Sequence, residues 1–267
     1  MSSFFTTEHS EPNANSAGLR FMTVKSNALR KRTDLTYYVP QVSDKESLID
    51  VPIVILLHGV YGSHWAWALK GKAHQTIQQL IDSQRIKPMV LVMPSDGLFG
   101  DGSGYLPHQN ENYERWIVED VIQAMLEQVY EVNAQSPVFL AGLSMGGFGA
   151  LRLGAKYPQR FRAFSGLSSI THFEQLSQFV EDFNTLKNST LEHDGVLDWI
   201  LQNKDQLPPF RFDCGQEDNL LEANRALHHE LNTHQIAHEY EEFAGGHSWD
   251  YWQTHLTDTL LFFNQWC

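Results

Sequence analysis

Three short, almost purely apolar runs mark the first half of the chain, at residues 51–57, 88–93 and 137–143. Each run is bounded by turn-forming residues and is too short for a long helix, which is typical of strands buried on both faces of a sheet. Between the runs, residues 76–85 and 113–132 carry apolar side chains at roughly helical spacing. Strands that alternate with helices in this way predict a mostly parallel sheet with helices on both faces.

The same alternation continues to the end of the chain. Strands are predicted at residues 161–168, 210–215 and 238–243, and helices at residues 148–157, 219–231 and 249–266. Upstream of the apolar runs, the β-forming stretches 18–25 and 35–42 predict an opening antiparallel pair. The chain is therefore predicted to have an α/β fold.

Two segments depart from this alternation. Residues 1–17 are polar and lack the basic start and apolar core of a signal peptide, so they are predicted to form a flexible tail. Residues 171–207 form a polar, partly helical insertion, which predicts a small cap over the carboxyl edge of the sheet. Residues 18–267, including this cap, are predicted to fold as a single domain.

Composition narrows the classes of function. The formal charge of −13 opposes binding to nucleic acid or to an anionic membrane surface, both of which require basic patches. No apolar run approaches the roughly 20 residues that span a bilayer. Cys214 and Cys267 are the only cysteines, which argues against a disulfide framework and favours a reducing, cytoplasmic compartment. A small molecule is therefore the expected partner, and a homodimer is compatible with the sequence.

The candidate nucleophile is Ser144. It is the serine of a Gly-x-Ser-x-Gly motif at residues 142–146, between the apolar run that ends there and a helical pattern that follows. Glycines at both flanks allow the sharp strand-to-helix turn that exposes a serine, and the start of the helix favours negative charge beside it. The alternative is a glycine-rich turn that only tightens the junction. The placement favours the nucleophile.

A serine hydroxyl requires a general base, and histidine titrates in the right range. In hydrolases with such a strand-to-helix nucleophile turn, the base follows the nucleophile along the chain, which removes His58. His247 stands in a glycine-containing turn between the last predicted strand and the last helix, and it is the predicted base. His234 and His238 are four residues apart, but they straddle a helix end and a strand start, so no metal site is predicted.

The carboxylate that orients the base has three candidates. Asp213 lies within the strand 210–215, where its side chain is expected to point into the flank of the sheet. Asp218 lies on the loop beyond that strand and can reach the site, although it also suits an N-cap role for the next helix. Asp218 is the predicted acid, and Glu217 is the fallback.

Two backbone amides are expected to bind the oxyanion of an acyl-transfer intermediate. One is the amide of Met145, and the other belongs to the loop after strand 51–57, where Val60 is the first choice and Tyr61 the second. The glycine-rich segment 97–104 lacks the following helix and the Gly-Lys-Ser/Thr of a phosphate-binding loop. It is predicted to be a mobile loop near the active site instead.

Aromatic side chains in loop or cap contexts are candidates for the walls of a substrate pocket. The predicted pocket residues are Tyr61, Trp65, Trp67 and Trp249, with Tyr105 and Phe173 as weaker candidates. Aromatic residues bury large apolar areas and are often part of the core, so a core position is the alternative for each of them.

These motifs resemble the esterase D type of α/β-hydrolase, which includes S-formylglutathione hydrolases, tributyrin-type esterases, feruloyl esterases and mycolyltransferases. The resemblance lies in residues 57–59, 142–151, 213–218 and 246–249 and in Trp252. It implies an α/β-hydrolase fold with a catalytic triad of Ser144, Asp218 and His247. It also implies an oxyanion hole formed by the amides of Val60 and Met145, with no cofactor.

The chain is therefore predicted to be a serine esterase that cleaves carboxylic esters or thioesters of small acyl groups through an acyl-enzyme on Ser144. Three alternatives stay open: S-formylglutathione hydrolysis, acyl transfer to an alcohol, and a non-catalytic binding module on a hydrolase scaffold. The short insertion argues against large polymeric substrates.

Overall fold

The computed structural model describes residues 2–10, 17–42 and 49–267, and a nine-stranded sheet runs through the molecule. Its strands are β1 (Thr7–His9), β2 (Leu19–Lys25), β3 (Arg32–Tyr38), β4 (Ile53–Leu57), β5 (Val90–Pro94), β6 (Val138–Leu143), β7 (Ala163–Leu167), β8 (Phe210–Gly215) and β9 (Glu239–Phe243). The order across the sheet is β1-β2-β3-β5-β4-β6-β7-β8-β9. Strands β4 to β9 are parallel, and β1 to β3 join them through antiparallel pairs.

Helices cover both faces of this sheet. They are α1 (Ala66–Leu69), α2 (Ala73–Asp82), α3 (Tyr113–Arg115), α4 (Ile122–Gln128), α5 (Met145–Lys156), α6 (Phe183–Ser189), α7 (Val196–Gln202), α8 (Leu221–Thr233) and α9 (Trp249–Asn264), with a π-helical stretch at Trp116–Val121 between α3 and α4. Helices α2 and α9 pack on one face, and α3 to α5, α7 and α8 pack on the other. The predicted mostly parallel sheet with helices on both faces is confirmed.

Burial explains why the sequences of the central strands are unbroken runs of apolar residues. Every residue of β4, β5 and β7 is buried, because helices cover both of their faces. The parallel strands all end at the same edge, which brings the loops after β4, β5, β6, β8 and β9 together. Any chemistry carried by those loops is therefore concentrated at the carboxyl edge of the sheet.

The N-terminal segment is more ordered than the predicted tail. Residues 7–9 form β1, which pairs with β2 in the register Thr7↔Val24, so the prediction of a flexible tail over residues 1–17 is wrong for this part. The strand forms because the exposed edge of β2 offers unpaired backbone groups that a neighbouring segment can bind. Met1 and residues 11–16 of the predicted tail lie outside the described residues.

The predicted opening antiparallel pair is confirmed, with a shift in its second strand. β3 begins at Arg32 and ends at Tyr38, because the ladder with β2 runs from Leu19↔Tyr38 to Lys25↔Arg32. None of the helices within residues 2–10, 17–42 and 49–267 is both long and apolar enough to cross a membrane.

The insertion at residues 171–207 connects β7 to β8 and contains a 3₁₀ helix (Phe173–Gln178), α6 and α7. A buried cluster of charges ties it to the helix that follows the candidate nucleophile. Arg152 Nη1 lies 2.6 Å from Glu114 Oε2, Arg152 also pairs with Glu192 of the insertion, and Lys156 Nζ lies 2.7 Å from Glu192 and 2.8 Å from Glu114. The ion pairs hold the insertion against α5.

Glu114→Gln is expected to destabilise the protein at neutral pH, since it removes the buried partner of Arg152. Burial raises the pKa of the Glu114 carboxyl, but Arg152 and Lys156 lower it more, so the pKa lies below the ordinary value of 4.5. The carboxylate therefore contributes its full stability above that pH, and the contribution is lost as the pH falls through the lower folded-state pKa. At pH 7 we expect a loss of about 3 kcal/mol in the free energy of unfolding.

Urea unfolding of wild type and variant between pH 7 and pH 3 measures this loss. The control is Glu119→Gln, which breaks the exposed pair between Arg115 and Glu119 and should cost less than about 1 kcal/mol. A difference between wild type and Glu114→Gln that does not shrink with acidification would contradict the assignment.

Candidate active site

Ser144 stands in the sharp turn between β6 and α5. Its backbone has φ 53° and ψ −117°, a conformation that side chains rarely adopt, and its amide donates to the Leu167 carbonyl at 3.0 Å. A Cβ on Gly142 would overlap the Gly146 carbonyl, and one on Gly146 would lie 2.6 Å from the His58 carbonyl oxygen. The turn therefore requires glycine at both flanks of the serine, as the motif predicts.

Gly142→Ala is expected to destabilise the protein by about 3 kcal/mol or more, because backbone atoms of the turn would have to move apart. A comparison with Gly100→Ala isolates the effect of the overlap. Gly100 has a φ of 48° but faces open space, so alanine there should cost only about 1 kcal/mol of backbone strain. The free energies of unfolding from urea titrations test this, and equal losses in the two variants would mean that the turn tolerates a side chain.

His247 lies in the turn between β9 and α9 and reaches Ser144. Its Nε2 is 2.9 Å from Ser144 Oγ, and its Nδ1 is 2.8 Å from Asp218 Oδ2. A carboxylate only accepts hydrogen bonds, so Nδ1–H donates to Asp218, and Nε2 is left to accept the serine proton. The structure therefore brings the three predicted side chains into one hydrogen-bonded chain.

Asp218 is held through both of its carboxylate oxygens. Oδ2 accepts from His247, and Oδ1 accepts from the Leu220 amide at 2.8 Å, just before α8. Burial raises the pKa of this carboxyl, but the hydrogen bond and the charge interaction with His247 outweigh it, so the pKa lies below its ordinary value. The N-cap alternative is wrong, because the N-cap residue of α8 is Leu220 and Asp218 lies two residues before it. The Asp218 side chain binds the amide of Leu220 and also orients the imidazole.

The two other carboxylate candidates lie elsewhere. Asp213 points away from the site into a buried cluster, where its Oδ2 lies 2.8 Å from Arg211 Nη1 and its Oδ1 accepts from the Tyr251 hydroxyl at 2.8 Å. Glu217 is exposed and accepts a hydrogen bond from the Gly245 amide, so it supports the turn that carries His247. Neither carboxylate is bonded to His247.

The loop after β4 brings its amides close to Ser144. A Cβ on Gly59 would lie 3.4 Å from Ser144 Cβ. The Tyr61 amide donates to the Asp101 carbonyl at 2.8 Å, so it is already used. In the part of the chain that the structure describes, the amides of Val60 and Met145 donate to no other backbone group. These two amides are therefore free to bind an oxyanion, and the geometry favours Val60 over Tyr61.

A buried network that the sequence analysis missed supports this loop. The His58 Nδ1–H donates to the Gly59 carbonyl at 2.7 Å, and His58 Nε2 accepts from the Asp96 amide at 3.0 Å. The Tyr105 hydroxyl donates to the His58 carbonyl at 3.0 Å. His58 directly follows β4 and Asp96 is the second residue after β5, and these buried strands are neighbours in the sheet, so their proximity was a signal available in the sequence.

The glycine-rich segment 97–104 lies beside the same amides. A Cβ on Gly102 would lie 3.3 Å from Val60 Cγ1 and would overlap Met145 Sδ. The segment is tethered rather than free, because Asp96 accepts hydrogen bonds from the Leu98 and Ser103 amides at 3.0 and 2.7 Å. The segment therefore lies beside the candidate active site, as the sequence predicts, and it packs against the loop after β4.

A cavity of about 290 Å³ opens over Ser144 and His247. Three of the four predicted pocket residues line it, namely Tyr61, Trp65 and Trp249. Trp67 does not, because its side chain is buried in the core and its indole N–H donates to the Leu57 carbonyl at 2.9 Å. The prediction of Trp67 as a pocket residue is wrong, since the short helix α1 turns that side chain towards the sheet. The weaker candidates Tyr105 and Phe173 are also core residues.

Two further aromatic side chains enclose the imidazole of His247. Phe179, from the insertion, stacks on it with ring centroids 5.6 Å apart, and Trp252 meets it edge-on at 4.9 Å. The Tyr61 hydroxyl donates to the Phe179 carbonyl and thereby links the loop after β4 to the insertion. Phe179 carried no sequence signal that separates it from the other phenylalanines of the insertion.

A family model described as "Putative esterase" matches residues 26–263, nearly the whole chain. The chain belongs to this family. Among curated proteins, the esterase is 27% identical to an acetyl esterase of Caldicellulosiruptor saccharolyticus over 260 residues, which cover 88% of this chain and 94% of the relative. This protein is therefore a hydrolase and an esterase, as the sequence analysis predicts.

Solved structures confirm the α/β-hydrolase fold of this esterase. A ferulic acid esterase superposes with a TM-score of 0.76 at 22% identity, covering 98% of both chains. An S-formylglutathione hydrolase from Agrobacterium tumefaciens gives a TM-score of 0.73 at 19% identity, covering 100% of this chain and 99% of the other. At these identities the likeness supports the fold alone.

Metal-ligating side chains do not cluster in the esterase: within the described residues, no group of three or more His, Cys, Asp or Glu is placed to hold a metal ion. His238 pairs with His228, whose Nδ1 lies 2.8 Å from His238 Nε2, rather than with His234. His238 Nδ1–H also donates to the Ile236 carbonyl at 2.7 Å. The histidine pair that the sequence spacing brings to attention is therefore not assembled.

Proposed function

We propose that this esterase hydrolyses carboxylic esters of small acyl groups through an acyl-enzyme on Ser144, with His247 as the general base and Asp218 as its orienting acid. The observation that carries the proposal is the continuous hydrogen-bonded chain from Asp218 Oδ2 through His247 to Ser144 Oγ, with contacts of 2.8 and 2.9 Å. Such a chain meets the geometric requirement for activating a serine hydroxyl.

Acylation follows from this geometry. His247 Nε2 removes the hydroxyl proton as Ser144 Oγ bonds to the substrate carbonyl carbon, and the carbonyl oxygen becomes an oxyanion that the Val60 and Met145 amides bind. The tetrahedral intermediate then collapses, the bond to the leaving oxygen breaks, and His247 returns the proton to that oxygen. The alcohol leaves, and the acyl group stays on Ser144.

Deacylation repeats the sequence with water. His247 removes a proton from the water molecule, the resulting oxygen attacks the acyl carbon, and the imidazolium returns the proton to Ser144 Oγ as the acid leaves. Asp218 is suited to stabilise the imidazolium in both halves, because its lowered pKa keeps the carboxylate charged. Acyl transfer to an alcohol would differ only in the acceptor.

The cavity supports the preference for small acyl groups. Its volume of about 290 Å³ lies at the lower limit of ordinary ligand sites. The insertion bounds it through Phe179, so we propose that residues 171–207 act as a cap. The relative named as an acetyl esterase agrees with a short acyl chain. A cytoplasmic location and the oligomeric state stay predictions.

The proposal is tested by kcat/KM on 4-nitrophenyl esters of increasing acyl length, together with S-formylglutathione. We expect the acetyl and propionyl esters to be preferred and longer chains to fall off steeply. A higher kcat/KM on S-formylglutathione than on every ester would favour the thioesterase alternative. This alternative is tested because the fold is similar to that of an S-formylglutathione hydrolase. If no substrate is turned over, the proposed activity is contradicted and the alternative of a non-catalytic binding module is favoured.

A further inference from the structure

The cavity over Ser144 contains a cationic side chain that the hydrolytic mechanism does not use. Lys70 lines it together with the aromatic residues, and the described residues that line it include no Asp or Glu. The Lys70 side chain is exposed at the cavity rim, where an ammonium attracts a negatively charged group of a ligand.

The structure places the Lys70 ammonium between two walls of the cavity. It follows directly after α1, where its amide donates to the Ala66 carbonyl at 2.9 Å. Its Nζ lies 5.8 Å from the ring centroid of Trp65 and 5.9 Å from that of Trp249. These two contacts join the loop after β4 to the start of α9, and they favour a position of the charge at the cavity rim.

The charge of Lys70 is available to a ligand. Within the described ranges, no carboxylate oxygen lies within 4.0 Å of its Nζ, in contrast to Lys156, Lys187 and Lys31, which all form ion pairs. An unpaired ammonium at the mouth of a catalytic cavity can therefore bind an incoming anion without first losing a protein partner.

The positive charge of Lys70 stands out because the protein as a whole is strongly negative. At a formal charge of −13, the protein repels anionic substrates at long range. Salt screens that repulsion beyond about 8 Å at physiological ionic strength, so nearby charges decide what the cavity accepts.

We propose that Lys70 is a specificity-determining residue that selects esters carrying a carboxylate in the acyl or the leaving group. This inference rests on the proposed esterase function and names its substrate class. The ammonium binds the carboxylate at the cavity rim while the ester carbonyl lies between Ser144 and the oxyanion amides. The expected gain in kcat/KM is about 2- to 5-fold, the range of an ion pair at an exposed site.

The experiment compares matched pairs of substrates in which one carboxyl group is either a free carboxylate or its neutral methyl ester. One pair is 4-acetoxybenzoate and its methyl ester, which places the charge on the leaving group. The other is the 4-nitrophenyl monoester of adipic acid and its methyl ester, which places it on the acyl group. For each pair, the ratio of kcat/KM for the anionic member to that for the neutral member is measured in wild type and variants at low and at 0.5 M salt.

Three variants complete the design. Lys70→Gln removes the charge, Lys70→Arg retains it, and Lys204→Gln removes a charge of the same sign from an exposed lysine near the start of β8, at the opposite edge of the sheet. We expect Lys70→Gln to lower the ratio about 2- to 5-fold in the pair that wild type favours, chiefly through KM, and Lys70→Arg and Lys204→Gln to keep it. High salt should reduce the wild-type ratio.

The inference is overturned if wild type favours the anionic member of neither pair, if Lys70→Gln leaves the ratio unchanged, or if Lys204→Gln lowers it as much. These failures are distinct from failure of the proposed function. Turnover of the neutral members in wild type supports the esterase activity whatever the charge preference, and its absence together with that of 4-nitrophenyl acetate contradicts the activity itself.

Discussion

Ser144→Ala is expected to lower kcat on 4-nitrophenyl acetate by at least about 10⁴-fold while leaving the fold intact. Alanine removes the only atom that becomes covalently bound to the acyl group, so the reaction can no longer proceed through an acyl-enzyme. The remaining rate would come from binding and from oxyanion stabilisation by the two amides, which still act on an attack by water.

The variant needs a control for the loss of a serine as such. Ser177→Ala in the 3₁₀ helix of the insertion removes an exposed hydroxyl and should retain wild-type kcat. Both variants should unfold within a few degrees of wild type, because Ser144 Oγ contributes a single hydrogen bond. Turnover by Ser144→Ala within about tenfold of wild type would show that another group forms the covalent bond or that none is formed.

Asp218→Asn is expected to lower kcat by about 10⁴-fold, the second large effect. An amide can donate to Nδ1, which would favour the tautomer that carries its proton on Nε2 and cannot accept the serine proton. The imidazolium would also lose the negative charge that stabilises it. The change is nearly isosteric, so the free energy of unfolding should change far less than kcat.

Asp213→Asn is the matched comparison, because it makes the same chemical change at an aspartate that is five residues away and equally buried. It should lower the free energy of unfolding by about 3 kcal/mol, since Arg211 loses its buried partner at 2.8 Å. In the folded enzyme, kcat should stay within about tenfold of wild type. Urea unfolding and steady-state kinetics on both variants separate these effects, and equal losses of kcat would contradict the assignment of Asp218.

The triad was predictable because the sequence immediately around each of its three residues indicates where that residue lies in the fold. Ser144 is flanked by two glycines that the turn requires, and His247 follows a predicted strand in a glycine-containing turn. Asp218 lies just beyond a strand, whereas Asp213 lies within one. Parallel strands end at one edge, so three residues that are 29 to 103 positions apart converge without any long-range signal in the sequence.

The remaining differences arise where position depends on tertiary packing. Trp65 is the N-cap residue of the short helix α1 and Trp67 lies within that helix, and only tertiary packing decides that the first faces the cavity and the second the core. The strand at Thr7–His9 forms because β2 offers an open edge, which composition does not report. The places of Lys70 and Phe179 depend on how α1 and the insertion pack over the sheet.

The most direct test of the central claim is covalent labelling of Ser144 by a fluorophosphonate, followed by intact mass spectrometry and mapping of the modified peptide. We predict one adduct per chain, located on Ser144, with labelling strongly slowed in His247→Ala and absent in Ser144→Ala. An unlabelled wild-type protein, or an adduct on any other residue that persists in Ser144→Ala, would contradict the assignment of Ser144 as an activated nucleophile.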